Sequence, residues 1–151
     1  TAEVLLDAVD FVTDRKTGFG GLPTGTRAVQ LPDEGYSNTF LKLFGRPPRE
    51  SACECERSAS PSLSQSLFVL NDAFLLGKVF HAEGRAAQLA GAPGDHSQRV
   101  RRLFLLTLSR PATQQEVEKA VKYIVSEADA KTAYGNLLWV LINTKEFLYN
   151  H

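Results

Sequence analysis

The residues best suited to chemistry are Cys53 and Cys55, in the segment RPPRESACECER at residues 46–57. Two thiolates separated by one residue can supply two soft ligands to one metal ion if the backbone curls around it. The other ligands would then be Glu54, Glu56, His81 or His96. Structural zinc sites, however, favour roughly two to four residues between paired cysteines and need four good ligands. The chain contains only two cysteines and three histidines. A metal site at the two cysteines is therefore one of three interpretations.

The second interpretation is a redox-active pair. A disulfide across one residue closes a small, strained ring, and strained disulfides are the reducible kind. Neighbouring arginines favour the thiolate and neighbouring glutamates disfavour it, so their effects nearly cancel. In the third interpretation both cysteines are small packed residues, and the alternating charges form salt bridges that hold the loop to the helices. The residues alone leave all three open.

Other motifs that look like cofactor or catalytic sites lack an essential part. Attachment of a c-type haem requires Cys-x-x-Cys-His, whereas this chain has Cys-x-Cys followed by Glu56 and contains no methionine for an axial bond. A phosphate-binding loop has a Lys-Ser or Lys-Thr pair after its last glycine, and the glycine cluster at residues 18–25 lacks this pair. Asp95, His96 and Ser97 are consecutive, so they cannot face one another as a hydrolytic triad. We predict no cofactor, and a metal at Cys53 and Cys55 stays one of the three open interpretations.

The composition is that of an ordinary globular domain, with 43% hydrophobic and 23% charged residues in a chain of 151. The 17 basic and 17 acidic residues give a formal net charge of zero, without the basic excess that favours nucleic acid or an anionic membrane surface. We therefore predict no nucleic-acid partner. The longest apolar run, residues 137–142, is far shorter than the ~20 residues of a membrane span, so we predict no span either.

The first part of the chain predicts one helix and then a long loop. Apolar residues recur at helical spacing over residues 1–14, which indicates an amphipathic helix. Residues 15–61 hold six of the eleven glycines and five of the seven prolines, so we expect a mostly ordered loop there. Two short elements are expected to interrupt it, an extended segment at residues 26–31 and a helix at residues 37–44.

Residues 62–151 are predicted to form the helical core. Ser60 is expected to cap a helix that breaks near Asp72 and then continues to about residue 89. Asp95 is expected to cap a helix ending at residue 108, and Thr113 with Glu116 forms a capping box for the next one. The last helix is predicted over residues 132–149, apolar on all sides and therefore central and buried. The fold class is all-α, a single domain of about five to six helices packed around a central C-terminal helix.

Several segments also carry a family resemblance. They are GTRAVQLP at residues 25–32, FGRPPRESACECER at residues 44–57, LSRPAT at residues 108–113 and LWVLINTKEFLYNH at residues 138–151. Together they resemble the domain of unknown function at the C-terminus of large planctomycete and verrucomicrobial secreted proteins, where it follows cytochrome-c-like and other domains. The resemblance implies an exported bacterial parent protein, a periplasmic or extracellular location, and partners among the other domains of the parent chain, a cytochrome-c-like domain included.

Two functions remain open. The first is a non-catalytic structural or interaction module whose loop presents charged residues to a partner, namely Arg46, Arg49, Glu50, Glu54, Glu56 and Arg57. The second is a metal or redox site at Cys53 and Cys55 that supports an enzyme or electron-transfer parent protein. We prefer the first, because no nucleophile, general base and anion stabiliser belong together in this sequence. For the same reason we do not expect the domain to be an enzyme by itself.

Overall fold

The first helix shows how the local sequence determines where an element begins and ends. A computed structural model describes residues 1–32, 36, 39–44 and 72–149. In it α1 spans Ala2–Thr13, and the Thr1 hydroxyl caps it by accepting a hydrogen bond from the Val4 amide at 3.4 Å. The helix ends at Asp14, which adopts a left-handed conformation with φ of 55°. Its buried face includes Leu5, Leu6, Val9 and Val12, whereas Val4 and Phe11, which share the helical apolar spacing, are 40% and 53% exposed.

The rest of the described chain is also helical. A 3₁₀ helix spans Ala28–Gln30. It is followed by α2 (Thr39–Leu43), α3 (Ala73–Val79), α4 (Arg85–Gly91), α5 (His96–Leu108), α6 (Gln114–Ser126), α7 (Ala130–Ile142) and α8 (Lys145–Tyr149). The described residues thus contain eight α-helices and no strand, which confirms the all-α class.

Predictions that rested on local caps are confirmed. The Asp95 carboxylate accepts a hydrogen bond from the Gln98 amide at 2.8 Å and starts α5. At the start of α6, Thr113 and Glu116 exchange both bonds of a capping box. The predicted helix at residues 37–44 is present as α2 within the residues that the structure describes. The starts of α5 and α6 were predictable because the groups that define them lie three residues apart along the chain.

Three other predictions were wrong. Within the segment predicted to be extended, residues 26–31, Ala28–Gln30 form a 3₁₀ helix, because the Asp7 carboxylate accepts hydrogen bonds from the Ala28 and Val29 amides at 2.6 and 3.4 Å. The helix expected to run from residue 72 to residue 89 is divided into α3 and α4. Gly84 lies at this break, where an added Cβ would come within 3.2 Å of the Thr13 carbonyl oxygen. Close packing against the end of α1 therefore favours glycine there.

The third wrong prediction concerns the last helix, which is divided into α7 and α8. The Asn143 amide side chain donates to the Trp139 carbonyl at 2.7 Å. The Thr144 hydroxyl donates to the Leu141 carbonyl and accepts from the Phe147 amide at 3.2 Å. These side-chain bonds compete with the helical backbone bonds and start a new helix.

The described helices share one core. Helix α7 contacts α3, α4, α5, α6 and α8, whereas α1 contacts the 3₁₀ helix, α2, α3 and α4. Tyr134, Leu138, Ile142 and Phe147 are almost completely buried, but Val140 in the middle of the apolar run is 50% exposed. Helix α7 is therefore buried on only part of its circumference.

Candidate functional site

The cysteine segment, residues 46–57, lies outside the part of the chain that the structure describes. Cys53 and Cys55, and with them Arg46, Arg49, Glu50, Glu54, Glu56 and Arg57, lie outside the described residues. The metal, redox and interaction predictions made for these residues stay predictions. The predicted loop at residues 15–61 is described only in part, and its residues 15–27 contain no helix.

The two histidines considered as further metal ligands have protein partners. His81 Nδ1 accepts a hydrogen bond from the Glu83 amide at 3.1 Å, which stabilises the turn between α3 and α4. His96 Nδ1 lies 3.0 Å from the hydroxyl of Tyr134. Within the described ranges no three His, Cys, Asp or Glu side chains are grouped so that they could hold a metal ion.

A buried ion pair joins α1 to α3. Lys78 Nζ donates to Asp10 Oδ1 at 2.7 Å and to the Arg15 carbonyl at 2.8 Å. The same carboxylate accepts from the Thr17 amide at 2.6 Å and from its hydroxyl at 2.9 Å. The side chains of Lys78 and Asp10 are only 8% and 6% exposed. Asp10 therefore anchors α1, α3 and the residues that follow α1 at one point.

Burial decides the electrostatics of this ion pair. Desolvation lowers the pKa of Lys78, although its hydrogen bond to Asp10 and the negative charge of that residue act in the opposite direction. A lysine with a lowered pKa can serve as a catalytic base or nucleophile when it is accessible. This ammonium group is enclosed and makes two short hydrogen bonds, so its geometry fits a structural role.

A second charged cluster surrounds Arg110, which lies between α5 and α6. Its guanidinium donates to both carboxylate oxygens of Glu116, at 2.8 and 2.9 Å, and to both oxygens of Glu146, at 2.7 and 3.0 Å. It also lies 5.7 Å from the ring centroid of Phe104. Glu116 is in the first turn of α6, Glu146 is in α8 and Phe104 is in α5. The Arg110 side chain therefore connects three helices.

The pKa values of the cluster follow from these bonds. The hydrogen bonds from Arg110 and from the Thr113 amide lower the pKa of Glu116 to about 2. The pKa of Arg110 is raised, because its hydrogen bonds to Glu116 and Glu146 favour the charged form. One guanidinium is shared between two carboxylates, so the cluster keeps a net charge of −1, and its hydrogen bonds connect helices.

Tyr134 belongs to a third polar cluster. Its ring is fully buried in α7, and its hydroxyl contacts His96 at the start of α5. Burial raises the pKa of Tyr134, while a hydrogen bond with Arg99 acts against this rise. Arg99 itself donates to the carbonyls of Ala90 and Gly94 at 3.2 and 2.8 Å. These bonds connect α5 to α7 and to the turn after α4.

One open cleft of about 490 Å³ lies between α1 and the end of α5. Its lining is mostly apolar and consists of Val4, Asp7, Ala8, Phe11, Val12, Lys16, Arg27, Leu106 and Ser109. Asp7 is the only acidic residue among them, and Arg27 Nε lies 3.2 Å from its carboxylate. The cleft is thus an apolar surface bordered by Lys16 and Arg27.

Sequence reasoning missed each of these features. Asp10 interrupts the apolar stripe of α1, which signals a buried polar residue. Arg110 lies just after the helix predicted to end at residue 108, in the LSRPAT segment that contributed to the family resemblance. Their partners could not be found because Lys78 and Glu146 are 68 and 36 residues away along the chain.

These features define the class of protein as an all-helical module whose described polar clusters connect helices. Residues 17–124 match the family described as PSD1, protein of unknown function (DUF1553). This match covers more than half of the chain, and the chain therefore belongs to that family. It includes the 3₁₀ helix, α2 to α5 and most of α6, whereas α7 and α8 lie beyond it. No curated protein and no solved structure matches the chain.

Proposed function

We propose that this chain is a non-catalytic structural and interaction module of an exported bacterial multidomain protein. The observation that carries the proposal is the distribution of polar and apolar side chains: the described charged clusters connect helices, and large apolar side chains are exposed. Asp10 with Lys78, and Arg110 with its two glutamates, are saturated by bonds between helices. Large apolar side chains remain exposed on α1 instead, with Val4 at 40% and Phe11 at 53%. A surface of this kind is suited to contact with another protein.

The proposal also includes the domain architecture, the partners and the location of the protein. The chain forms a single domain organised around α7, which is supported by the contacts of α7 with five other helices. Its partners are other domains of the parent chain, a cytochrome-c-like domain among them, and its location is periplasmic or extracellular in planctomycetes or their relatives. This setting rests on the family resemblance of the sequence. No helix in the described part of the chain is long and apolar enough to cross a membrane.

Binding in trans tests the proposal. The chain is titrated into the separately produced remainder of its parent protein, and complex formation is measured by calorimetry and by size-exclusion chromatography. We expect a saturable complex. Absence of a complex at high micromolar concentrations would contradict the proposal.

The alternative is a metal or redox site at Cys53 and Cys55, which the Cys-Glu-Cys-Glu spacing favours. Intact mass measured under native and denaturing conditions, with alkylation before reduction, separates the possibilities. A metal-sized adduct lost on denaturation supports a metal site. Thiols that resist alkylation until reduction support a disulfide. Two free thiols without an adduct leave the structural interpretation.

A further inference from the structure

The cleft between α1 and α5 has the form of a helix-docking groove. Its α1 side is built from Val4, Ala8 and Phe11, which recur at steps of four and three residues and so share one face of the helix. Leu106 of α5 forms the opposite side. Leu105, next to it, is 57% exposed. The apolar area therefore extends beyond the groove itself.

Within the described residues, the charges at the groove that lack a local counter-ion are positive. Lys16 is exposed, and within the described residues it makes no ion pair. Asp7, the one acid in the lining, is held by Arg27 and by the Ala28 and Val29 amides, so its charge is compensated locally. Arg102 lies one turn before Leu106 on the same face of α5 and is also exposed. A partner should accordingly carry carboxylates beside its apolar side chains.

The elements that form the groove also determine the mode of binding. An extended peptide binds by adding a strand to the edge of a sheet, and the described residues offer no strand. Two neighbouring helices with apolar residues at helical spacing instead fit the helix-in-groove mode, in which anchors at steps of three and four residues enter the groove. From Val4 to Phe11 the groove extends along about two helical turns, or ~10 Å.

We propose that this groove binds an acidic amphipathic helix of a protein partner. The apolar face of that helix packs against Phe11 and Leu106, and its flanking carboxylates face Lys16 and Arg102. The inference deepens the proposed function and rests on it in one respect, since it assumes that the module acts through contact with another protein. It adds the place of contact and the chemistry of the partner.

A designed peptide provides the probe. It is about four helical turns long, with leucines at steps of three and four residues and glutamates on both flanks. A matched peptide carries lysine in place of every glutamate. Binding of each to the isotope-labelled chain is followed by amide chemical shifts. We expect saturable shifts with the acidic peptide, centred on α1 and the end of α5, and at least tenfold weaker binding of the basic peptide.

Two matched pairs of variants localise the binding. Phe11→Ser removes an apolar anchor of the groove, and Val125→Ser removes a similarly exposed side chain of α6, where Val125 is 69% exposed. Lys16→Glu reverses a charge at the groove, and Lys119→Glu does so on α6. We expect about tenfold weaker binding for each groove variant and no change for its α6 counterpart. Lys16→Glu should also reduce the preference for the acidic peptide.

Several results would overturn the inference. They are the absence of saturable shifts at millimolar peptide, equal binding of both peptides, and equal losses in the groove and α6 variants. Concentration-dependent dimerisation lost in Phe11→Ser would assign the groove to a second copy of the chain. Equally tight binding of decanoate would assign it to a small amphiphile.

If Phe11→Ser leaves binding to the rest of the parent protein intact, this inference fails and the proposed function stands. If the wild-type chain does not bind the rest of the parent protein but still binds the acidic peptide at the groove, the proposed function fails and the groove assignment stands.

Discussion

Asp10 and Arg110 each make hydrogen bonds to one residue nearby and to one that is distant along the chain. Asp10 accepts from Lys78 and from both donors of Thr17, while Arg110 donates to carboxylates of α6 and α8. Each residue can satisfy several partners because its charged group is planar and presents two or more bonding directions. The two residues therefore act as points at which helices are held together.

Arg110→Lys should destabilise the chain by about 1–2 kcal/mol, because an ammonium group cannot make the paired bonds to Glu116 and Glu146 that the guanidinium makes. Urea unfolding measures the loss. Arg102→Lys, at an exposed position of α5, is the control and should change the stability by less than about 0.5 kcal/mol. Equal losses in the two variants would contradict the role given to Arg110.

Lys78→Met should cost about 3 kcal/mol, because it leaves the buried Asp10 carboxylate without its counter-ion. Adding Asp10→Asn should recover part of this loss, since asparagine is neutral and keeps one acceptor for Thr17. The free energies of unfolding of both single variants and of the double variant form the test. A double variant whose loss equals the sum of the single losses would show that the two residues are not coupled.

At the scale of elements, the caps were predictable and the breaks were not. The starts of α5 and α6 depend on Asp95 and Thr113, whose partners are three residues away. The break before α4 depends on the approach of Gly84 to the carbonyl of Thr13, in another helix. The apolar run of α7 predicted a longer helix. Its pattern does not show that the side chains of Asn143 and Thr144 donate hydrogen bonds to backbone carbonyls and end the helix there.

Two glycines inside helices should respond in opposite ways to alanine. At Gly135 in α7 an added Cβ would lie 2.6 Å from Phe80 Cδ1, so Gly135→Ala must displace that ring and should cost about 1–2 kcal/mol. Gly77 in α3 has nothing within 4 Å of an added Cβ. Gly77→Ala should stabilise the chain by about 0.5–1 kcal/mol through helix propensity.

Thermal and urea unfolding of the two variants test this contrast. Phe80 is 44% exposed, and if its ring moves aside freely both variants will be stabilised. That result would show that the contact between Phe80 and α7 contributes little to the packing of α3 against α7.

For the whole molecule, stability at acid pH should depend on Glu116. Its pKa is about 2 in the folded chain, against an ordinary value of 4.5. Between these values the unfolded chain binds a proton that the folded chain does not, so stability rises with pH. The contribution is complete above about pH 4.5 and is lost as the pH falls towards 2.

Glu116→Gln tests this pH dependence, because glutamine keeps the capping box with Thr113 but has no charge. The variant should lose less stability than the wild type between pH 4.5 and 2, by about 1 kcal/mol after allowance for solvent screening. Unfolding free energies measured across this range supply the comparison. Parallel curves for the two proteins would contradict the role of the Arg110 bonds in lowering the pKa of Glu116.

The amino-acid sequence by itself determined the helical class, the capped starts of α5 and α6, and the family resemblance of the central segments. These properties depend on contacts between residues a few positions apart, which a pattern records directly. Only the tertiary structure showed that Lys78 reaches Asp10, that Arg110 reaches Glu146, and that α1 and α5 leave an apolar groove between them. Those contacts join positions far apart in the chain, and only the packing of complete helices brings them together.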